Sequence, residues 1–338
     1  MTAPPSDRRV TRADVARLAG VSTAVVSYAL NDGPRPVAEA TKQRVLEAVR
    51  LLGYRPNATA RALKLGSTSQ IGLVVPGVSN PFFAWLTDRI EAQARARGLA
   101  TVVMNSADSG VLEVVTRIAS LQLDGVLIAN EVTRGDLLRM ENSETSVVLL
   151  NQPTEIAGIR SVIVDRYAGA FEAVSHLIGH GHQRIAYTGP ADPEEARRRG
   201  WSDALAVADL PADLTLRTEY SRDAGLAAAT ELLEMPGPPT AVFAASDEIA
   251  SGILLGLHQH GLSTPDDVAL ISFDGTEEMR YARPPVTSVT QPVDDMVRCA
   301  FDLLGPDMAV GAVRLVPQLA IRSSCGCGPS LPQKAVRS

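Results

Sequence analysis

Cysteine and aromatic side chains are both scarce here, with three cysteines and 4% Phe, Trp and Tyr in 338 residues. Three thiols cannot form a disulfide framework. The Cys325-Gly-Cys327 motif lacks, in sequence, the partner pair that a zinc site requires, so these two and Cys299 read as structural or incidental and no metal is expected. No uninterrupted apolar run is long enough to span a bilayer, and the first ten residues, MTAPPSDRRV, hold no apolar core of signal-peptide length. No membrane partner is therefore expected, and the expected compartment is the cytoplasm. The five histidines form no His-x-x-x-His pair with an intervening Glu, and neither a Gly-x-Ser-x-Gly elbow nor a phosphate-binding P-loop occurs. Catalysis has no support, and no cofactor is expected.

What the chain does have is an uneven distribution of charge. Residues 1–66 carry 11 Lys and Arg against 5 Asp and Glu, a net of +6; the remainder carries 21 against 33, a net of −12. A cationic head neutralises phosphates while an anionic body is repelled by them, the balance expected of a duplex reader. The remaining composition, 45% hydrophobic and 21% charged, is ordinary for a globular chain of two to three domains.

Within the head, Thr11 with Asp14 three positions on gives a capping-box start to a first helix, whose apolar stripe is Val15, Ala16, Leu18 and Ala19. Gly20 permits a tight turn, Val21 fills the angle between helices, and Ser22 supplies the cap of a second helix over 23–30. Val26, Ala29 and Leu30 at i, i+3, i+4 spacing face inward, which turns Thr23, Ala24, Ser27 and Tyr28 outward. Such small, uncharged residues at a helix N-terminus let the backbone sit deep in a major groove, where a methyl meets thymine and a hydroxyl reaches a base edge or phosphate. A third helix, about 39–52, places Val45, Leu46, Val49 and Leu52 on one side. Beyond Gly53 and Tyr54, the stretch NATARALKLG has Asn57 as a cap and only about two helical turns before Gly66, which is marginal alone in water.

The rest of the chain alternates short β-branched runs, at 71–75, 100–104, 125–129, 147–150, 185–188, 215–219, 241–244 and 268–272, with helical segments. This is a βαβ rhythm, and it predicts an α/β body of doubly wound parallel sheets. Ligands of such sheets bind beyond the carboxyl ends of the strands. Phe82, Phe83, Asn151, Tyr220, Ser246 and Asp274 all fall there.

The stretches VTRADVARLAGVSTAVVSYALN and RPVAEATKQRVLEAVRLLGYRPNATARALKLGSTSQIGLVVP resemble the lactose/galactose repressor (LacI/GalR) family. Ordered matches continue through SNPFF (79–83), LDGVLI (123–128), HLIGHGHQRIAYTG (176–189), RRRGWSDAL (197–205), AVFAASDEIASG (241–252), ISFDG (271–275), PPVTSVTQP (284–292) and IRSS (321–324). The resemblance implies an all-α helix-turn-helix head over 1–56, a hinge helix and linker over 57–69, a two-lobed body over 70–325 similar to periplasmic sugar-binding proteins, and a tail over 326–338. The lobes would comprise about 70–152 with 290–315, and about 165–275 with 315–325. The chain would cross between them near 152–165, 275–290 and 315–322.

The candidate DNA-contacting set is Thr11, Ser22, Thr23, Ala24, Val25, Ser27, Tyr28, Asn31, Tyr54, Asn57, Ala60, Arg61, Leu63 and Lys64. By resemblance, Ala60, Arg61, Leu63 and Lys64 belong to the hinge helix, which orders on DNA, and paired Leu63 side chains wedge into the minor groove. A leucine can partly unstack a base step and kink the duplex, while Arg61 and Lys64 hold phosphates or the groove floor. The candidate effector set is Phe82, Phe83, Asn151, Arg197, Tyr220, Ser246 and Asp274. Arg197 matches the family's effector-binding arginine, although Arg198 and Arg199 leave its position open by a residue or two.

Departures from the family pattern also matter. Asn151-Gln152 stands where Asp-Arg is frequent, and Ser246-Asp247 where Asn-Asp is frequent, so the effector cannot be copied from a relative. The resulting expectation is a dimeric, ligand-responsive regulator, a repressor that binds a pseudo-palindromic double-stranded operator in the nucleoid, with a sugar or related metabolite as effector. The competing classes are a small-molecule binding protein without operator function and an α/β enzyme using Asp274 with His176, His180 or His182. Neither explains the head. The tail holds no leucine heptad for a tetramerising coil, so a dimer is expected.

Overall fold

The computed structural model describes residues 10–31, 36–55, 67–107, 110–137, 145–305 and 308–328. They fall into two compact units, Met1–Thr68 and Ser69–Ser338.

The first unit is a trio of helices, α1 (Arg12–Ala19), α2 (Thr23–Asn31) and α3 (Glu39–Leu52). Thr11 starts α1 as its spacing predicts: its backbone N–H and its hydroxyl both donate to the Asp14 carboxylate, at 3.0 and 2.6 Å. Gly20 ends the helix at φ +65°, a left-handed conformation that would cost a side-chain-bearing residue about 1–2 kcal/mol. The core is Val15, Ala16, Ala19, Val26, Ala29, Val45, Ala48 and Tyr54. Two expected core residues are not in it: Leu18 is 53% exposed and Leu46 39% exposed. A core of three short helices is too narrow for the whole apolar stripe, and α3 buries only Val45 and the small Ala48 in it. Tyr54, read from the sequence as a DNA contact, is 8% exposed and its ring is committed to this core.

The body contains two six-stranded sheets. The first has the order β11-β5-β4-β3-β1-β2, built from β1 (Gln70–Val75), β2 (Ala100–Asn105), β3 (Gly125–Ile128), β4 (Ser146–Leu150), β5 (Arg160–Val164) and β11 (Ala312–Leu315). All its pairings are parallel. Side chains alternate between its faces. Leu73, Val75, Leu127, Val148 and Leu150 pack with α4 (Pro81–Ala96) and α12 (Val293–Leu303). Val74, Val126, Ile128 and Leu149 pack on the other face with α5 (Val111–Ala119) and Leu137 of α6 (Arg134–Leu137). Burial on both faces explains why these strands read as continuous apolar runs.

The second sheet runs β12-β10-β9-β8-β6-β7. It comprises β6 (Ile185–Gly189), β7 (Thr215–Arg217), β8 (Ala241–Ala244), β9 (Ala269–Asp274), β10 (Thr287–Thr290) and β12 (Gln318–Ala320), the last antiparallel to β10. Around it lie α7 (Arg166–Gly179), α8 (Ala196–Val207), α9 (Arg222–Glu234), α10 (Asp247–Gln259) and the short α11 (Glu278–Tyr281). Tyr187, Trp201, Phe243 and Phe273 are the largest side chains in its core.

The chain passes between the sheets at 164–166, 290–293 and 315–318. The first lobe thus runs through β5 rather than stopping near 152, and the second runs through β10 rather than stopping near 275. Both segments form buried strands where linkers were expected.

Candidate functional site

The head presents its candidate surface at the start of α2. Ser22 Oγ accepts from the Val25 N–H at 3.3 Å, satisfying one of the first-turn donors. Ser22, Thr23 and Ala24 are exposed; Val25, Ser27 and Tyr28 are half-buried, so they contribute edges rather than whole side chains. Val26 and Ala29 face the core as their spacing predicts. Thr11 is exposed at the start of α1, its hydroxyl already held by Asp14. Asn31 closes α2. Asn57, Ala60, Arg61, Leu63 and Lys64 lie outside the described residues.

Between the two sheets of the body is a cavity of about 460 Å³. Its wall is made almost entirely of residues that follow the carboxyl ends of strands. Pro76, Gly77, Ser79 and Asn80 follow β1; Ala129, Asn130 and Glu131 follow β3; Asn151 follows β4; Ser246 and Glu248 follow β8; Asp274 ends β9; Gln291 follows β10. Phe82, Phe83, Arg166, Arg197 and Tyr220 complete it. All seven candidate effector residues are therefore brought to one cavity. Backbone amides and carbonyls at strand ends are free of the ladder, which is why polar groups gather there.

Arg197 is 6% exposed and sits in the first turn of α8. Its Nε donates to Glu195 Oε1 at 2.8 Å, Nη1 to the Ala245 carbonyl at 2.8 Å, and Nη2 to the Tyr220 hydroxyl. Three of the five guanidinium N–H groups are thus directed by the protein, and these bonds leave two uncommitted. Its charge is secured: burial disfavours the cation, but Tyr220, Glu195, Tyr187 and Asp274 outweigh burial and raise its pKa. Burial likewise pushes Glu195 upward, while Arg197 and Arg166 pull it net below the ordinary carboxylate value. The neighbouring arginines point elsewhere. Arg198 donates to the Ala191 carbonyl, and Arg199 lies over the Tyr167 ring at 5.8 Å. Of the three arginines, Arg197 is the one that lines the cavity.

Asp274 is buried at φ +110° and accepts from Gln291 Nε2 at 2.8 Å. Burial and then the nearby Asp247 push its carboxyl up to about 7, against the opposing pull of Arg197. Asp247 does not line the cavity: it accepts from the Thr276 N–H at 2.6 Å, the Thr276 hydroxyl at 2.8 Å and the Ser288 hydroxyl at 2.9 Å, behind the strand ends. Ser246 both lines the cavity and caps α10, its Oγ accepting from the Ile249 N–H at 3.3 Å. Phe82 is a core residue that shows an edge to the cavity, whereas Phe83, packed edge-on against it at 5.1 Å, is the more open ring.

Residues 11–57 match the family model for bacterial regulatory proteins of the lacI family, and residues 174–325 match a periplasmic binding protein-like domain. Catabolite control protein A of Priestia megaterium is 35% identical over 304 residues, covering 87% of this chain and 91% of that protein. The chain belongs to the lacI family of bacterial regulatory proteins. It is a ligand-responsive, DNA-binding transcriptional regulator rather than an enzyme. Among solved structures, the Lac repressor dimer bound to operator and the anti-inducer ONPF superposes with a TM-score of 0.84 at 25% identity, covering 94% of this chain and 99% of that one. The regulator CelR in complex with cellobiose gives 0.66 at 29% identity, over 94% and 100% of the two chains.

This lacI-family regulator has cavity residues that sequence reasoning missed. Arg166, at the start of α7, is buried and donates through Nη2 to Asn151 Oδ1 at 3.0 Å; burial first, and then the repulsion of Arg197, lower its pKa. Its place just after β5 was obscured because β5 itself was not anticipated. Gln291 was missed for the same reason, following the unanticipated β10. Gln152, the other departure beside Asn151, is buried away from the cavity wall, where its side-chain Nε2 donates to the Asn130 carbonyl and its Oε1 accepts from the Val132 N–H at 3.3 Å.

Proposed function

We propose that this protein is a dimeric transcriptional repressor that acts in the cytoplasm on nucleoid DNA and is switched by a sugar-like effector in the cavity of its body. The observation that carries the reading is the meeting of Arg197 and Asp274 with amides and an aromatic ring in one cavity at the strand ends. A forked cation, a carboxylate, amides and a ring edge together form the donor and acceptor set of a polyhydroxylated ligand. The CelR relative holds cellobiose, and the Lac repressor relative is a dimer on operator DNA, which supports the same class here. The head reads bases through Thr23, Ala24 and Tyr28, with Ser22, Val25, Ser27 and Asn31 positioning α2, and Thr11 nearby. The hinge segment with Asn57, Ala60, Arg61, Leu63 and Lys64 engages the minor groove. Functional boundaries fall near 56 and 69. The effector favours one relative orientation of the lobes, and the response follows from its different affinity for the two orientations.

Selection of duplexes from a random library by the full-length protein, at two salt concentrations, tests the DNA half of this reading. The expected result is one roughly two-fold symmetric site whose enrichment survives higher salt. Binding that is asymmetric and lost uniformly with salt would remove the operator reading. A sugar panel is then screened by its effect on affinity for the selected duplex. Purine or nucleoside ligands that act where sugars do not would overturn the effector class.

A further inference from the structure

A second constellation lies outside both candidate sites, at the opposite end of α7 from the cavity residue Arg166. His176 lies in the last turn of α7 and His180 is its C-cap residue, one helical turn apart and on the same face. Cys325 and Cys327 follow β12. Although Cys325-Gly-Cys327 lacks a partner pair in the sequence, the fold supplies one from a residue 149 positions away. His176 Nε2 lies 3.3 Å from Cys325 Sγ and 3.5 Å from Cys327 Sγ, and His180 Nε2 lies 3.2 Å from Cys327 Sγ. One ligand atom from each of the four residues falls within 4.8 Å of the others.

We propose that His176, His180, Cys325 and Cys327 form a four-ligand site for a single zinc-class divalent ion. Two thiolates and two imidazoles are the donor set of closed, tetrahedral structural zinc sites. With bonds of about 2.3 Å to sulfur and about 2.0–2.1 Å to nitrogen, the sulfur–nitrogen edge of such a tetrahedron is about 3.5 Å. The observed 3.2–3.5 Å separations are close to that edge. Gly326 takes φ +93°, the left-handed conformation in which glycine is unstrained, and so turns the chain between the two thiols. The Thr287 hydroxyl lies 3.1 Å from Cys325 Sγ, an outer hydrogen bond of the kind that orients a metal thiolate. Two of the chain's three cysteines and two of its five histidines meet at this point, a concentration that general packing does not require.

Binding balances simply: the divalent ion replaces two thiol protons, which are released, and the imidazoles bind as neutral ligands. Four protein ligands leave no open position, so the site is structural rather than catalytic. It fastens the segment after β12 to α7. The same segment already stitches the second sheet, since the Leu270 N–H donates to the Ser324 carbonyl and the Thr287 N–H to Ser324 Oγ, both at 2.8 Å. The ion would lock that stitch.

The test uses full-length protein kept under reductant, stripped with chelator and then titrated with zinc alone. Expected are one zinc per chain by elemental analysis, release of two protons below the thiol pKa, and a melting temperature raised by about 5–10 °C at a hundredfold excess over Kd. Cobalt in place of zinc should give a tetrahedral, thiolate-ligated absorption spectrum. Cys327→Ser and His180→Gln alter the less buried ligands and spare buried Cys325, so both variants should fold. Each should lower zinc affinity by at least the ~10–100-fold that even outer partners of a metal command. Absence of stoichiometric zinc, affinity unchanged in both variants, an octahedral cobalt spectrum, or a Cys325–Cys327 disulfide in the reduced preparation would each overturn the site.

Discussion

Arg197 and Glu195 form a buried pair at 2.8 Å, so replacing the arginine has two separable effects. Arg197→Ala should abolish the effector's influence on operator binding while leaving effector-free operator affinity near that of the wild type, as read by titration with and without effector. It should also destabilise the body by about 3–5 kcal/mol, because Glu195 is left buried without its partner; a melting curve reads this second effect. Asp274 gives a pH signature. Its folded carboxyl is raised to about 7, above the unfolded value, so the folded state holds the proton more tightly. Its stabilising contribution is greatest below the unfolded pKa and is lost as pH rises from about 4 to about 7. Asp274→Asn removes that loss, and its melting temperature relative to wild type should climb across this window and then level off. An effector hydroxyl that donates to the carboxylate should bind the wild type up to about tenfold more weakly per pH unit below 7. A flat difference in melting temperature would remove the buried-charge account. At this scale the sequence was informative at several residues that follow recognisable strands, as with Asn151, Ser246 and Asp274, although Asn130 and Glu131 after β3 were not singled out. It was silent on Arg166 and Gln291, and on the meeting of two histidines with two cysteines, because those depend on strands and long-range contacts with no local signature.

Helix α2 was legible because period 3.6 and Gly20 are local signals, and its inner face is as the spacing predicts, with Val26 and Ala29 buried. Its outer face is more graded than the pattern implied, exposed at Thr23 and Ala24 and half-buried at Ser27 and Tyr28. Thr23→Ala should therefore be felt in base discrimination more than in folding. Its expected cost on the selected operator is about 1–3 kcal/mol, the range of one mismatched base pair, with little change on random duplex. Equal losses on both would reduce Thr23 to a phosphate contact. Among the strands, those buried on both faces announced themselves through runs such as IGLVV and AVFA. The four unanticipated strands gave weaker signals. RSVIV and TSVT mix hydroxyls with apolar residues, while AVRL and QLA are short, partly exposed edges. Such edges owe their conformation to the neighbour they pair with, not to their own propensity.

At the scale of the whole molecule, a head of net +6 and a body of net −12 make phosphate attraction a property of one unit alone. Affinity for non-specific duplex should fall linearly on a log–log plot against salt, with a slope set by the phosphates the head meets. Leu63→Ala should weaken specific binding far more than non-specific binding, since a wedge acts only where the duplex is kinked. Equal loss on both duplexes, measured at one salt concentration, would remove the wedge. No helix among the described residues is long and apolar enough to cross a membrane. The two-sheet plan itself was legible from the βαβ rhythm, but the passages between the sheets were only bracketed, because a strand that ends one lobe looks like a linker until its partners are known. Those three passages have one more consequence. Since each lobe is assembled from separated stretches of the chain, no single cut excises either as a continuous piece. Exchange of one continuous segment with a relative therefore cannot replace a lobe intact, and would instead join strands of two different proteins within one sheet.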